Sequence, residues 1–282
     1  MSDNTVKIRR SPTAEEVVVQ LQPVKQEEKY PTEHVPLPTK GHFYPLDHLL
    51  SIGTIEIKQM TAREEDVLAN QELLRKGTVL DVLLSSLIVD KSINVKDILI
   101  VDKNAIMIAI RRLAYGDDYP ISVSCPQCDV KNQVVINLGN IENKPFDLEG
   151  VQKGENSFAF KLPNSKKTIT YKLLNQHDDD SITTELNNQK KISKDAPSRE
   201  LTTRLKYLIT SVDGTTDKAY IRKFVDEELM ANDSLALRTH FRDHNPDIDM
   251  SFDFTCHQCS YERRLGIPLG MSFLWPGVDD GR

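Results

Sequence analysis

The sequence predicts an α+β fold, and three features of it carry that expectation. Apolar residues recur at helical spacing between Thr61 and Tyr115, apolar and polar residues alternate around two C-x-x-C pairs, and polar helical segments lie between those pairs. The expected order is an N-terminal extended arm over 1–45, a small helical module over 46–118 and the first half of a β-rich ribbon over 119–145. An inserted hairpin and helical region over 146–248 interrupts that ribbon, and its second half runs with a C-terminal tail over 249–282.

Six of the 14 prolines fall within residues 1–45: Pro12, Pro23, Pro31, Pro36, Pro38 and Pro45. Each removes a backbone donor and biases its predecessor away from helix. The run Val17-Val18-Val19 could add a strand to a sheet edge. The arm is therefore either a free terminus or a segment that orders on a partner.

The pattern turns helical from Ile55. Thr61-Ala62-Arg63-Glu64 reads as a capping box opening a helix that runs to about Arg75 and stops near Gly77. Thr78 caps a second helix rich in Leu and Val, Asn94 opens a short turn, and Asp102 caps a third helix from Lys103 to Tyr115. In that third helix Ile106, Ala109, Ile110 and Leu113 share one face, and Gly116 ends it. Phe158–Leu162 and Thr168–Leu173 form a hairpin pattern around the loop Pro163–Lys167. Residues 177–192 and 199–211 read as polar helices joined by an exposed linker from Ser193 to Ser198. Asp233 or Ser234 caps a further helix through about His244.

Composition limits the function classes. A chain of 282 residues buries about three quarters of its unfolded surface on folding and needs no disulfides for stability. No run of about 18 apolar residues occurs, so no membrane span is expected. The segment MSDNTVKIRR lacks the apolar stretch of a secretory signal, so none is expected either. With 36 Lys and Arg against 42 Asp and Glu, the net charge of −6 speaks against a large basic surface, and no nucleic-acid partner is expected.

All four cysteines lie in two pairs, Cys125-Pro126-Gln127-Cys128 and Cys256-His257-Gln258-Cys259. Such spacing lets two thiolates bind one ion, and two pairs complete a tetrahedral shell. The 127 residues between Cys128 and Cys256 exceed what a compact zinc ribbon uses, so the flanks carry the argument for one shared ion. Val130, Val134, Ile136 and Leu138 follow Cys128 at the same offsets at which Tyr261, Leu265, Ile267 and Leu269 follow Cys259. Val123 and Phe254 each precede a first cysteine by two. Both segments read as strand, knuckle, strand with matching pleat, which predicts one structural Zn2+ held by Cys125, Cys128, Cys256 and Cys259. Four thiolates leave no open position for catalysis, and His257 is expected to point outward.

Other chemistry finds little support. No phosphate-cradling glycine loop, H-E-x-x-H or G-x-S-x-G occurs. His240 and His244 share a helical i, i+4 spacing without a third ligand, and His177-Asp178-Asp179-Asp180 reads as helix-capping acids. Arg111-Arg112 and Arg263-Arg264 are isolated pairs. No nucleophile, base and orienter assemble, and the chain is expected to be non-enzymatic.

One order of motifs is distinctive. Leu37-Pro38-Thr39-Lys40-Gly41-His42-Phe43-Tyr44-Pro45 is followed by Ile55-Glu56-Ile57-Lys58-Gln59-Met60-Thr61-Ala62-Arg63-Glu64-Glu65-Asp66 and Lys76-Gly77-Thr78-Val79-Leu80-Asp81. Tyr115-Gly116-Asp117-Asp118-Tyr119 and Cys125-Pro126-Gln127-Cys128 come next. Over roughly residues 36–275 this resembles the baseplate hub subunit family of contractile-tailed phages of the T-even type. The resemblance implies a structural or assembly component of the tail baseplate, assembled in the host cytoplasm, carried in the virion and contacting other baseplate and tail proteins. Phe43 and Tyr44, stiffened by Pro45, are then either an interface anchor or part of the chain's own core. Tyr115 and Tyr119 are either an interface loop or the entry to the first knuckle. Two rivals remain: an assembly factor absent from the finished particle, and a zinc-ribbon nucleic-acid-binding protein.

Overall fold

The computed structural model describes residues 30–146, 151–192 and 198–276. The run Val17-Val18-Val19 and most of the expected linker, residues 193–197, lie outside these. Short antiparallel sheets alternate with helices, so the class is α+β.

The extended arm expected over 1–45 does not reach Pro45, because the chain joins the fold at Thr32. Strand β1 (Thr32–Pro36) pairs antiparallel with β2 (Thr54–Lys58), with Val35 opposite Ile55. Ile55–Lys58 is therefore strand, where a helical pattern was expected. The reason is the period-two order of Thr54-Ile55-Glu56-Ile57-Lys58, which buries Ile55 and Ile57 on one face. Between the two strands the chain turns tightly through Gly41, in the left-handed region at φ 71°. A Cβ there would lie 2.5–2.6 Å from backbone atoms of Leu50, Ser51 and Gly53, so only glycine fits.

Three helices follow: α1 (Ala62–Leu68), α2 (Gln71–Lys76) and α3 (Val79–Leu87). The single helix expected from Thr61 to Arg75 is divided because the Asn70 side chain accepts from the amides of Glu72 and Leu73 and starts a new helix. Helix α4 (Ile100–Tyr115) begins before the expected cap: Leu99 is the N-cap, and Asp102 sits inside the first turn, fully buried. Its carboxylate accepts from Thr39 N at 3.0 Å, Thr39 Oγ1 at 2.7 Å and Tyr44 OH at 2.7 Å, so it serves the β1–β2 connection and not its own helix end.

Next come β3 (Asp118–Ser124) and β4 (Lys131–Asn137), an antiparallel hairpin. Strands β5 (Phe158–Lys161), β6 (Thr168–Tyr171) and β7 (Ile209–Val212) form a sheet in that order. Helices α5 (Gln176–Ile192) and α6 (Glu200–Leu208) stand between β6 and β7. Ile209–Ser211, expected as the end of a helix, is strand, since Ile209 and Val212 are buried against β6. Helix α7 (Lys218–Lys223) passes into a π-turn at Phe224–Glu228, and α8 spans Ala231–His244. Asp233 does not cap α8. It is buried inside the first turn and accepts from the amides of Asn164 and Ser165 at 2.7 and 2.9 Å, tying the β5–β6 loop to the helix. Strands β8 (Ser251–Thr255) and β9 (Glu262–Gly266) form the last hairpin, and α9 (Met271–Leu274) follows.

One apolar core gathers β1, β2, α3, α4 and the buried faces of β3 and β4, with Phe273 and Leu274. A second lies between the β5–β6–β7 sheet and α6–α8, centred on Tyr171, Phe224 and Leu237. A third, small cluster surrounds the cysteines.

Candidate metal centre

The two hairpins place the cysteines by the same local device, repeated at an offset of 131 residues from Cys125 to Cys256. In the first, Cys125 N donates to Val130 O and Asp129 N to Cys125 O, both at 2.9 Å. In the second, Cys256 N donates to Tyr261 O at 2.9 Å and Ser260 N to Cys256 O at 3.0 Å. Asp129 and Ser260, the residue after each second cysteine, both adopt positive φ, at 57° and 55°. That left-handed step reverses the chain and brings both thiols of a pair to one side.

The four sulfurs converge. Cys125 Sγ lies 3.7 Å from Cys259 Sγ, and Cys128 Sγ lies 3.7 Å from Cys256 Sγ. All four ligand atoms fall within 4.8 Å of one another, and no disulfide joins them. A tetrahedral shell with metal–sulfur bonds of about 2.3 Å has sulfur–sulfur edges of about 3.8 Å, so these thiols fit one tetrahedral ion. Cys125 and Cys256 are buried and the other two half-buried, with Phe254 beneath and Val123, Val134 and Tyr261 around. Burial works against ionising Cys256, yet the amides of Cys259 and Gln258 and the neighbouring thiols outweigh it and hold this thiol down at about 6. The other two, Cys128 and Cys259, are pushed up instead, by burial and by hydrogen bonding to the neighbouring thiols. A divalent cation bound by the cluster would favour the thiolate form of all four.

His257 is exposed and not among the ligands. Its Nδ1 lies 2.6 Å from Asn132 Oδ1. Asn132 went unnoticed in the sequence, although an asparagine inside a strand that alternates apolar and polar is itself a signal.

The aromatic residues offered as interface anchors have other duties. Phe43 is buried against Phe158 and Phe146, with ring centroids 5.1 and 6.0 Å away. Tyr44 is buried too: its hydroxyl donates to Asp102 and accepts from Leu99 N at 3.0 Å. Both are corrected from interface candidates to core residues, because a hydroxyl with two buried partners and a ring between two others leave nothing to present. Pro45 is exposed. Tyr119 is likewise buried, donating to Pro268 O at 3.2 Å and meeting Phe273 edge-on. Tyr115 is half-buried, donating to Glu65 Oε1 at 2.9 Å. The Arg111 guanidinium, 3% exposed, lies over both tyrosine rings. Large apolar side chains that do reach solvent just after Tyr44 are Leu46, Leu49 and Ile52, of which Leu46 and Ile52 are 68% and 76% exposed.

The remaining constellations are structural. Asp178, Asp179 and Asp180 pair with Lys172, Arg204 and Lys96 from other elements, and His240 stacks between Phe160 and His244. Arg264 on β9 pairs with Asp249, just before β8.

Comparison with known proteins gives one match. The family model for the T4 bacteriophage base plate protein matches residues 37–274. Neither a curated protein nor a solved structure matches the chain.

Proposed function

The chain belongs to the T4 bacteriophage base plate protein family, and from that premise we propose that it is a resident structural subunit of the hub region of the tail baseplate, held together by one structural zinc. The family match, which leaves out only the two ends of the chain, is the observation that carries the proposal. It acts by contact with other baseplate and tail proteins in the virion, after assembly in the host cytoplasm.

Cys125, Cys128, Cys256 and Cys259 hold the zinc, completing a ribbon from two hairpins far apart in sequence. The ion supplies charge neutralisation and a cross-link. Four thiolates leave it no position for water, so it takes no part in a reaction. We read the chain as non-enzymatic on the same grounds: the buried carboxylates Glu64, Asp102 and Asp233 are each committed to donors of the fold. Leu46 and Ile52, on a connection held rigid by Gly41 and Tyr44, are the kind of exposed apolar side chains that suit a partner.

Two measurements test this. Mass spectrometry of purified phage tails, scaled to the tail-tube protein, is expected to find the chain at a fixed stoichiometry suited to three-fold or six-fold symmetry. Presence in assembly intermediates but not in finished tails would make it an assembly factor, and salt-sensitive nucleic-acid binding with absence from both would favour the ribbon as a nucleic-acid module. Elemental analysis of the purified chain is expected to find one zinc. Cys125→Ser is expected to lose it and melt at a lower temperature; full metal retention in that variant would refute the shared site.

A further inference from the structure

From the first cysteine to the end of the second strand, the two hairpins around the cysteines repeat the same burial pattern, but at one position they differ. Four residues after Cys128 stands Asn132, and four residues after Cys259 stands Arg263. Arg263 faces solvent, whereas Asn132 is 3% exposed. A buried primary amide has to place both its donor and its acceptor. Asn132 Nδ2 donates to Val130 O at 2.8 Å and lies 3.7 Å from Cys256 Sγ. Its Oδ1 accepts from His257 N at 2.9 Å. The orientation of the amide is settled by that last bond, since a backbone N–H can only donate and so faces the oxygen. Asn132 thus belongs to the first hairpin by covalent position and to the second knuckle by its hydrogen bonds.

We propose that Asn132 is the positioning residue of the four-thiolate site: it seats the second cysteine pair on the ion held by the first and gives the Cys256 thiolate an N–H donor. This rests on the zinc proposal above. The chemistry is that of a ligand's outer partner: an N–H directed at a metal-bound thiolate draws off charge, which eases the crowding of four anionic sulfurs around one dication. The bond to His257 N sets where the second knuckle's backbone sits relative to the first hairpin. With about 130 residues of chain between the halves, local sequence cannot set that placement. Arg263, at the equivalent place, does neither.

The test compares full-length wild type, Asn132→Asp, Asn132→Leu and Arg263→Ala. Each is loaded with zinc and challenged with a chromogenic chelator, then loaded with Co2+ and examined by absorption spectroscopy. Asn132→Asp keeps shape and the acceptor for His257 but loses the donor to sulfur; Asn132→Leu loses both. Both Asn132 variants are expected to release zinc about 10–100-fold faster than wild type. Their thiolate-to-cobalt charge-transfer band should also move to lower energy, because a thiolate without its N–H donor is easier to oxidise. Arg263→Ala should match wild type in both. Should Asn132→Leu fail to fold, the isosteric Asn132→Asp decides. Unchanged release and an unmoved band in Asn132→Asp would overturn the proposal. A wild type that takes up neither zinc nor Co2+ would overturn the metal centre itself, and with it this role. The failures differ because one shows in the wild type and the other only in the variants.

Discussion

Glu64 and Asp102 are both buried carboxylates, and their surroundings drive them in opposite directions. Burial disfavours the charged form of Glu64, but donors from Ser86, Thr61 and Lys58 outweigh it and hold the group down at about 2. Burial dominates at Asp102 and pushes it up to about 6, although Thr39 and Tyr44 donate to it. The consequences for stability have opposite signs. Glu64 contributes stability in its charged form, fully present above its ordinary value of 4.5 and lost as pH falls towards about 2. Asp102 contributes in its protonated form, fully present below its ordinary 3.8 and lost as pH rises through about 6. Glu64→Gln is therefore expected to destabilise by about 1–3 kcal/mol at pH 7, with the gap to wild type narrowing below pH 4.5 in urea titrations. A gap that widens on acidification would contradict this. Asp102→Asn should gain on wild type as pH rises from about 4 to 7, while Asp102→Ala, which strips three donors of their acceptor, should cost about 2–4 kcal/mol.

The connection from Leu37 to Gly53 shows how an element is held from outside itself. Leu37 N donates to Gly53 O at 2.9 Å, closing the loop at its neck, and Thr39 and Tyr44 fasten it to α4 through Asp102. Gly41 lies against the backbone of Leu50, Ser51 and Gly53. Gly77, at the end of α2, has the same φ of 71° but open space around its missing Cβ. The two glycines separate dihedral strain from collision. Gly77→Ala should cost about 1–2 kcal/mol, the left-handed penalty alone. Gly41→Ala meets backbone atoms at 2.5–2.6 Å as well, and should cost more than about 3 kcal/mol. Equal midpoints for the two variants in urea would mean that the loop gives way to admit the methyl.

At the scale of the molecule, the proposed zinc would tie Cys125 to Cys256 and so close a loop that contains the inserted sheet and its helices. Restraining a loop of this length is worth about 4–5 kcal/mol by chain entropy. The β5–β6–β7 sheet keeps its own core around Tyr171 and Phe224 and supplies no cysteine. Stripping the proposed zinc with a strong chelator should therefore raise amide hydrogen exchange in β3, β4, β8 and β9 first, with β6 and β7 retaining protection. Uniform loss of protection would show that the two regions unfold as one.

Much of the fold was legible because local chemistry specifies it. The Thr61–Glu64 capping box, the C-terminal ends of α4 and α8, the β5–β6 hairpin and the two knuckles all follow from residues within a few positions of each other. The matched offsets after Cys128 and Cys259 likewise stated that two distant segments are copies of one hairpin. Where expectation and structure part, a long-range partner decided. Asp102 left the cap of its helix for Thr39 and Tyr44, Asp233 left its own for the β5–β6 loop, and Phe43 and Tyr44 turned inward because acceptors and rings awaited them. Asn132 is the clearest case. The sequence by itself determined which four thiols are paired and what shape each pair takes, since a knuckle is closed by bonds within six residues. Only the tertiary structure decided that the pairs face each other and that an amide from one reaches the sulfur of the other, because that contact spans 124 positions of chain and depends on how the intervening core packs.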